Sequence, residues 1–419
     1  MIARRLLTIF CCASLTLSAG GFITSCGGGS GSIPESSQGI RGVLLAPDGQ
    51  TPVAGATVYV PGGSTAGVSI MQTGNCEPPP EDYIAWTCTA PDGSFVLDIT
   101  PTNTVTLKFK KGVFQLTVTV SPNNTNIGSV SLPSDPAQGA PKMAVITGSW
   151  DRMEDVLAKL GFGNVNDYGQ LVVGTERFDL YDGNNSLSDA DYPDFPAIFD
   201  DNDGDSKPDI YNYDIVFINC GNSYENLLDS TKVNILRQYV QQGGRLYITD
   251  LSYDFVEQVF PEFIDFYGSD STPETNPENI GAAEVGDSGI TSEADVLDTT
   301  LKEWLKEVSC KELDYTTYPP TEIDVPCIDP ATEKVHIEGF LSGWAVINGP
   351  HPGQTSNVKV WVKGPVSWYD GGNQSGVKPL TVSFTFGNGK VLYTSYHTES
   401  TNIKGFIPQE RILQYLVFF

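Results

Sequence analysis

Along the first third of the chain, apolar residues recur in short runs. They fall at 43–45, 56–60, 94–97, 104–110 and 113–120, punctuated by Pro47-Asp48-Gly49, Ala54-Gly55 and Pro91-Asp92-Gly93. Alternation with period two gives a strand one buried and one wet face, and clusters of Pro, Gly and Asp turn the chain between strands. No helical periodicity precedes residue 150, so 38–130 reads as an antiparallel β-sandwich.

After a Pro/Ser/Gly-rich linker at 131–141 the pattern changes. A continuous apolar run at 142–148 predicts a buried strand. Met153, Val156, Leu157 and Leu160 then share one helical face, stopped by Gly161 and Gly163. A second unit repeats the order: strand 213–221, a helix over 231–242 capped by Asp229-Ser230, then strand 245–250. Strand–helix–strand with continuously apolar strands predicts a parallel sheet covered on both faces. A hairpin around Gly387-Asn388-Gly389 and a helix over 409–418 close the chain. The expected fold is therefore multidomain. A β-sandwich precedes an open, mostly parallel, flavodoxin-like α/β domain over 142–419, with insertions at 180–210 and 268–378. The polar, acidic stretch 268–299 is expected to be a surface loop or a lid over the carboxyl edge of the sheet.

The N-terminus alters the compartment. Arg4-Arg5 precede an apolar stretch, and no charged residue occurs between Arg5 and Glu35, the layout of a secretory signal over 1–25. Ile23-Thr24-Ser25-Cys26 resembles the lipobox of bacterial lipoproteins, which implies cleavage before Cys26 and acylation of its thiol. Several acyl chains anchor a protein stably where one does not. The Gly/Ser-rich tether that follows, 26–37, is flexible, and Gly27 after the Cys favours the outer membrane by the same resemblance. Of eight cysteines, Cys11 and Cys12 leave with the signal. The pairs Cys76/Cys88 and Cys310/Cys327 each bracket a short Pro-containing segment, as structural disulfides do in an oxidising compartment. Cys220 is left over. A formal charge of −27 argues against nucleic acid and against a polybasic membrane patch. Partners are then the membrane, through lipid, and an unidentified protein or small-molecule ligand.

Two further resemblances follow from particular runs. The segment 38–122, with PDGQTPVAGATVYV and TAPDGSFVLDI, resembles the carboxypeptidase regulatory-like family, which implies a transthyretin-type sandwich without chemistry of its own. The runs YDIVFINCG, GGRLYITD and GNGKVLYTSYH resemble the class I glutamine amidotransferase-like superfamily, including its trehalose-utilisation branch. That resemblance implies a Cys on a tight strand-to-helix elbow, activated by a His-x-Glu. His397-Thr398-Glu399 stands where the His-x-Glu belongs, but the elbow corresponds to 248–252 and has neither the Cys nor the glycines. Cys220 lies one strand earlier.

The candidate catalytic groups are thus Cys220, facing His397 across the strand ends, or Ser252 or Asp250 acting with His397 and Glu399. The competing reading makes Cys220 a small buried residue at a strand end. A separate candidate is Asp201, Asp203, Asp205 and Asp209, with Gly204 at the turn. Carboxylates at alternate positions converge on a hard cation, and the run resembles the calcium loops of thrombospondin type 3 repeats. It departs from an EF-hand in Ser206 and Asn212. The expectation is a membrane-anchored, exported, non-catalytic lipoprotein presenting a ligand- or protein-binding domain stabilised by Ca²⁺. The alternative is a hydrolase or amidotransferase-like enzyme.

Overall fold

A computed structural model describes residues 39–419 apart from 63–75, 185–186, 188–191, 223, 269–276, 278, 342 and 399–401. The signal, Cys26, the tether and Glu399 lie outside the described residues.

The first segment forms two small sheets. One has the order Ser94–Leu97, Ile40–Leu45, Asn126–Ser131; the other runs Tyr83–Cys88, Thr57–Pro61, Val105–Lys111, Phe114–Val120. Alternation buries Ile40 and Leu44 on one side of their strand, and Phe95 meets Phe109 of the other sheet edge to face at 5.3 Å. The pairing departs from expectation at one place, since Ile40–Leu45 and Asn126–Ser131 run parallel. Cys76 and Cys88 are bonded, as are Cys310 and Cys327.

This segment shares its apolar core with the rest of the body. Phe114 packs on Phe162 and Phe418 at 5.9 and 4.8 Å. The Trp304 indole donates to the Pro52 carbonyl at 2.8 Å, and the Gln414 amide donates to Thr51 Oγ1 at 3.0 Å. Gly161, at φ +98°, lies so close to the turn at Asp48 that a Cβ would come within 2.5 Å of its backbone nitrogen. Only glycine combines that conformation with that approach.

A nine-stranded sheet organises the remainder. Its order is Lys334–Ile337, Ser292–Val296, Val358–Tyr369, Asn373–Phe386, Gly389–Thr394, Arg245–Thr249, Ile215–Ile218, Met143–Ile146, Asp179–Tyr181. The five strands from Gly389–Thr394 onward are mutually parallel. The other pairings are antiparallel, so the sheet is mixed rather than mostly parallel. The antiparallel half comes largely from the segment expected to be an insertion. Ser292–Val296, in a stretch expected to be loop, is a strand because Ser292, Ala294 and Val296 alternate into the core. The helix Ser230–Gln242 matches its expectation, with the Asp229 carboxylate accepting from the Thr231 and Lys232 N–H groups. The helix Met153–Leu157 continues into a wider turn, Ala158–Phe162. From there Lys159 reaches Glu410 of the terminal helix Pro408–Val417, a fully buried ion pair at 2.8 Å.

Candidate functional site

Three neighbouring parallel strands end side by side, and each delivers one reactive group. Cys220 follows Ile215–Ile218, Asp250 follows Arg245–Thr249, and His397 follows Gly389–Thr394. The carboxyl edge of a parallel sheet is where open α/β folds place ligands. Cys220 and Asp250 are 0% exposed and His397 is 1% exposed.

The three meet at a single ring nitrogen. His397 Nε2 lies 2.9 Å from Cys220 Sγ and 2.9 Å from Asp250 Oδ2; the sulfur and that oxygen are 3.8 Å apart. The other ring nitrogen, Nδ1, donates to the Gly339 carbonyl at 2.7 Å. Asp250 Oδ1 is committed elsewhere, accepting the Ala345 N–H at 2.8 Å. Asp250 itself sits at φ +34°, a region that costs a non-glycine residue on the order of 1–3 kcal/mol. Strand–turn geometry holds it there: the Tyr393 hydroxyl donates to its carbonyl at 2.9 Å. The strained elbow therefore exists without the glycines expected to permit it, and an aspartate occupies it.

Electrostatics follow from burial and acidity. Burial, then the Asp250 and Asp151 carboxylates, push the Cys220 thiol well above its ordinary value. Burial works against charge on the His397 imidazole, but Asp250 outweighs it, aided by Asp151 and the Gly339 carbonyl, and the ring is pushed up to about 9. In a nucleophile–base–carboxylate triad, nucleophile and carboxylate use opposite ring nitrogens. Here both face Nε2.

The remaining candidates separate. Ser252 is buried, but its hydroxyl donates to the Asn219 carbonyl at 2.8 Å and accepts from the Asn222 amide at 2.7 Å. That engagement holds the turn. Asp151 was not anticipated. It is fully buried, its Oδ1 takes both the N–H and the hydroxyl of Thr398, and its Oδ2 has no partner. Its place one position after the exposed Trp150 gives no sequence signal of this. Gly148 lets that loop approach, since a Cβ there would come within 2.0 Å of the Cys220 carbonyl oxygen.

In the acidic loop, Asp201, Asp203 and Asp209 gather their carboxylates within 4.8 Å of one another, and Asp205 stands outside the group. Asp201 accepts from the Gly204 and Ser206 N–H groups at 2.8 and 2.9 Å, Asp205 from Lys207 at 2.9 Å, and Asp209 from the Asn202 amide at 2.9 Å. Ser206 adopts φ +70° to close the turn.

No protein-family model and no curated protein matches the sequence. Among solved structures, the chain is similar to a cytoplasmic protein from Salmonella typhimurium, at 11% identity and a TM-score of 0.34, over 67% of this chain and 99% of that one. It is similar to a putative ThuA-like protein from Bacteroides uniformis, at 12% identity and a TM-score of 0.31, over 67% of this chain and 91% of that one. A β-galactosidase from Bacillus circulans sp. alkalophilus is similar at 13% identity and a TM-score of 0.28, over 66% of this chain and 30% of that one.

Proposed function

We propose that the protein is an exported lipoprotein, anchored through acylated Cys26 to the outer membrane, whose body binds a ligand or protein partner rather than turning over a substrate. The observation that carries the non-catalytic reading is at the elbow. Asp250 occupies the nucleophile's position of a glutamine amidotransferase-like, flavodoxin-like sheet, and the one thiol nearby is buried and shares its imidazole nitrogen with that carboxylate. Nucleophilic catalysis needs an accessible thiolate and a base free to take its proton. The two disulfides fit an oxidising compartment. The two small sheets, read as a carboxypeptidase regulatory-like sandwich, form a rigid base beneath the α/β region. The Asp201–Asp203–Asp209 loop, with Asp205 nearby, is the proposed Ca²⁺ site and stiffens the approach to the Ile215–Ile218 strand.

The test is thiol chemistry on the folded, full-length protein in detergent. Cys220 is expected to resist iodoacetamide until the chain is unfolded. Rapid stoichiometric alkylation that disappears in His397→Asn would instead establish the Cys–His enzyme. Metabolic labelling with an alkyne fatty acid checks the anchor, and the label should vanish in Cys26→Ala.

A further inference from the structure

Cys220, Asp250 and His397 are arranged as ligands are arranged, not as a relay. We infer that they form a binding site for a divalent transition-metal ion, Zn²⁺ above others, at the carboxyl edge of the sheet. The inference stands apart from the non-catalytic reading, since such a centre can be structural or can hold a ligand.

Convergence is the first observation. Zn²⁺ bonds of roughly 2.3 Å to sulfur and 2.0–2.2 Å to nitrogen and oxygen, at tetrahedral angles, separate the donor atoms by about 3.3–3.6 Å. The separations here are 2.9, 2.9 and 3.8 Å, which small side-chain rotations bring to that triangle. One thiolate, one imidazole and one carboxylate form a donor set suited to zinc, whereas Ca²⁺ and Mg²⁺ prefer oxygen alone.

The surrounding bonds are the second observation. A metal-bound histidine donates its other N–H to a carbonyl or carboxylate, which fixes the tautomer and leaves a lone pair on the ligating nitrogen. His397 does this through Nδ1 to Gly339. A ligating carboxylate is itself hydrogen-bonded, and Ala345 binds the Asp250 oxygen that faces away from the cluster.

A buried His–Asp ion pair is the simpler alternative. It accounts for two of the three groups and leaves unexplained why the sulfur meets the same nitrogen. Metal entry releases two protons to solvent, one from the Cys220 thiol and one from His397 Nε2, leaving a thiolate and a neutral imidazole, and the two negative charges of Cys220 and Asp250 balance the ion.

Full-length protein refolded with one equivalent of Co²⁺ reads the site directly. Cys220 is the free cysteine of the described body, and in the proposed mature lipoprotein the Cys26 thiol carries lipid. A thiolate-to-cobalt charge-transfer band with intense visible bands is therefore expected, at one metal per chain, displaced by Zn²⁺. Cys220→Ser should abolish the charge-transfer band, and His397→Asn and Asp250→Asn should reduce bound Zn²⁺ to background. Where a variant fails to fold, the wild-type cobalt spectrum decides alone. No charge-transfer band in folded wild-type protein, or zinc retained by all three folded variants, overturns the assignment.

Discussion

Among the described residues, side chains able to ligate a cation gather within 4.8 Å of one another in two places, and the two differ in every physical respect that matters. In the loop, Asp201 and Asp203 are exposed, Asp209 is half-buried, and the contacts span a few residues, five between Asp201 and Ser206. At the sheet edge, Cys220 and His397 are separated by 177 residues and Cys220 and Asp250 by 30, and all three are buried. Water screens the loop carboxylates from one another, so they tolerate proximity without a partner. The sheet-edge groups have no water to screen them. Each must be paired, protonated or ligated, and the fold has to fix them in place.

Asp250→Asn is the largest test of that contrast. Asn keeps the shape and tolerates positive φ, but it leaves the His397 side of the cluster without its counter-charge. Breaking a buried pair from one side costs about 3–5 kcal/mol, and chemical denaturation of the variant should show a loss of that order. A change under about 0.5 kcal/mol, the scale of an ordinary surface substitution, would erase the distinction between the two clusters.

Burial alone is separated from ligation by Lys159 and Glu410. They are equally buried but lie in the helices under the sheet. Burial raises the Glu410 carboxyl, while Lys159 works against that rise. Glu410→Gln keeps an acceptor for the Lys159 ammonium but leaves that buried charge without its counter-charge, and should cost on the order of the same 3–5 kcal/mol. The cost of Glu410→Gln should be the same with and without chelator, whereas the cost of Asp250→Asn should shrink when chelator has already removed the metal.

pH sharpens the comparison next. Glu154 is buried beside the site, accepting from the Asn219 amide at 2.8 Å. Burial, then Asp155, push its carboxyl up to about 8 against an ordinary 4.5, with Arg152 opposing. Between those values the unfolded chain has released a proton that the folded chain still holds, so stability falls as pH rises through the window. The slope is about 1.4 kcal/mol per pH unit where the difference is full. Glu154→Gln should flatten the profile between pH 5 and about 8, measured as denaturation midpoint against pH. A variant that keeps the wild-type slope assigns the titration elsewhere.

How much of this was legible in the sequence depends on range. The helix Ser230–Gln242 was readable because its cap and apolar face are local. So were both disulfides, whose partners are separated by 12 and 17 positions. The carboxylates of the acidic loop could be numbered in advance for the same reason. The sheet edge was half legible. Cys220 and His397 were suspect by residue type, but their meeting needed the strand order. Asp250 was a secondary candidate because an elbow was expected to need glycine. Gly339 and Ala345, which orient the ligands, come from a segment whose pattern suggested only an insertion. Its strands gain their partners from the long antiparallel ribbon Val358–Tyr369 and Asn373–Phe386, and alternation in a short polar stretch does not announce that. Asp151 is legible only once Thr398 is seen to bind it.

The smallest expected effect belongs to the loop. Its carboxylates are already answered by local N–H donors, so the loop closes without a cation and Asp203→Asn in chelator should change stability by less than about 0.5 kcal/mol. Ca²⁺ acts through a different term, because an ion that binds only the folded chain stabilises it by mass action, about 2.7 kcal/mol at a hundredfold excess over its dissociation constant. The wild-type melting temperature should therefore rise with added Ca²⁺, and Asp203→Asn should lose the rise while keeping its baseline. Asp205→Asn should keep most of the rise, because Asp205 stands outside the three-carboxylate group. A wild-type protein whose melting temperature ignores Ca²⁺ makes the loop an ordinary solvated turn, and the sheet edge would then be the single cation site of the two.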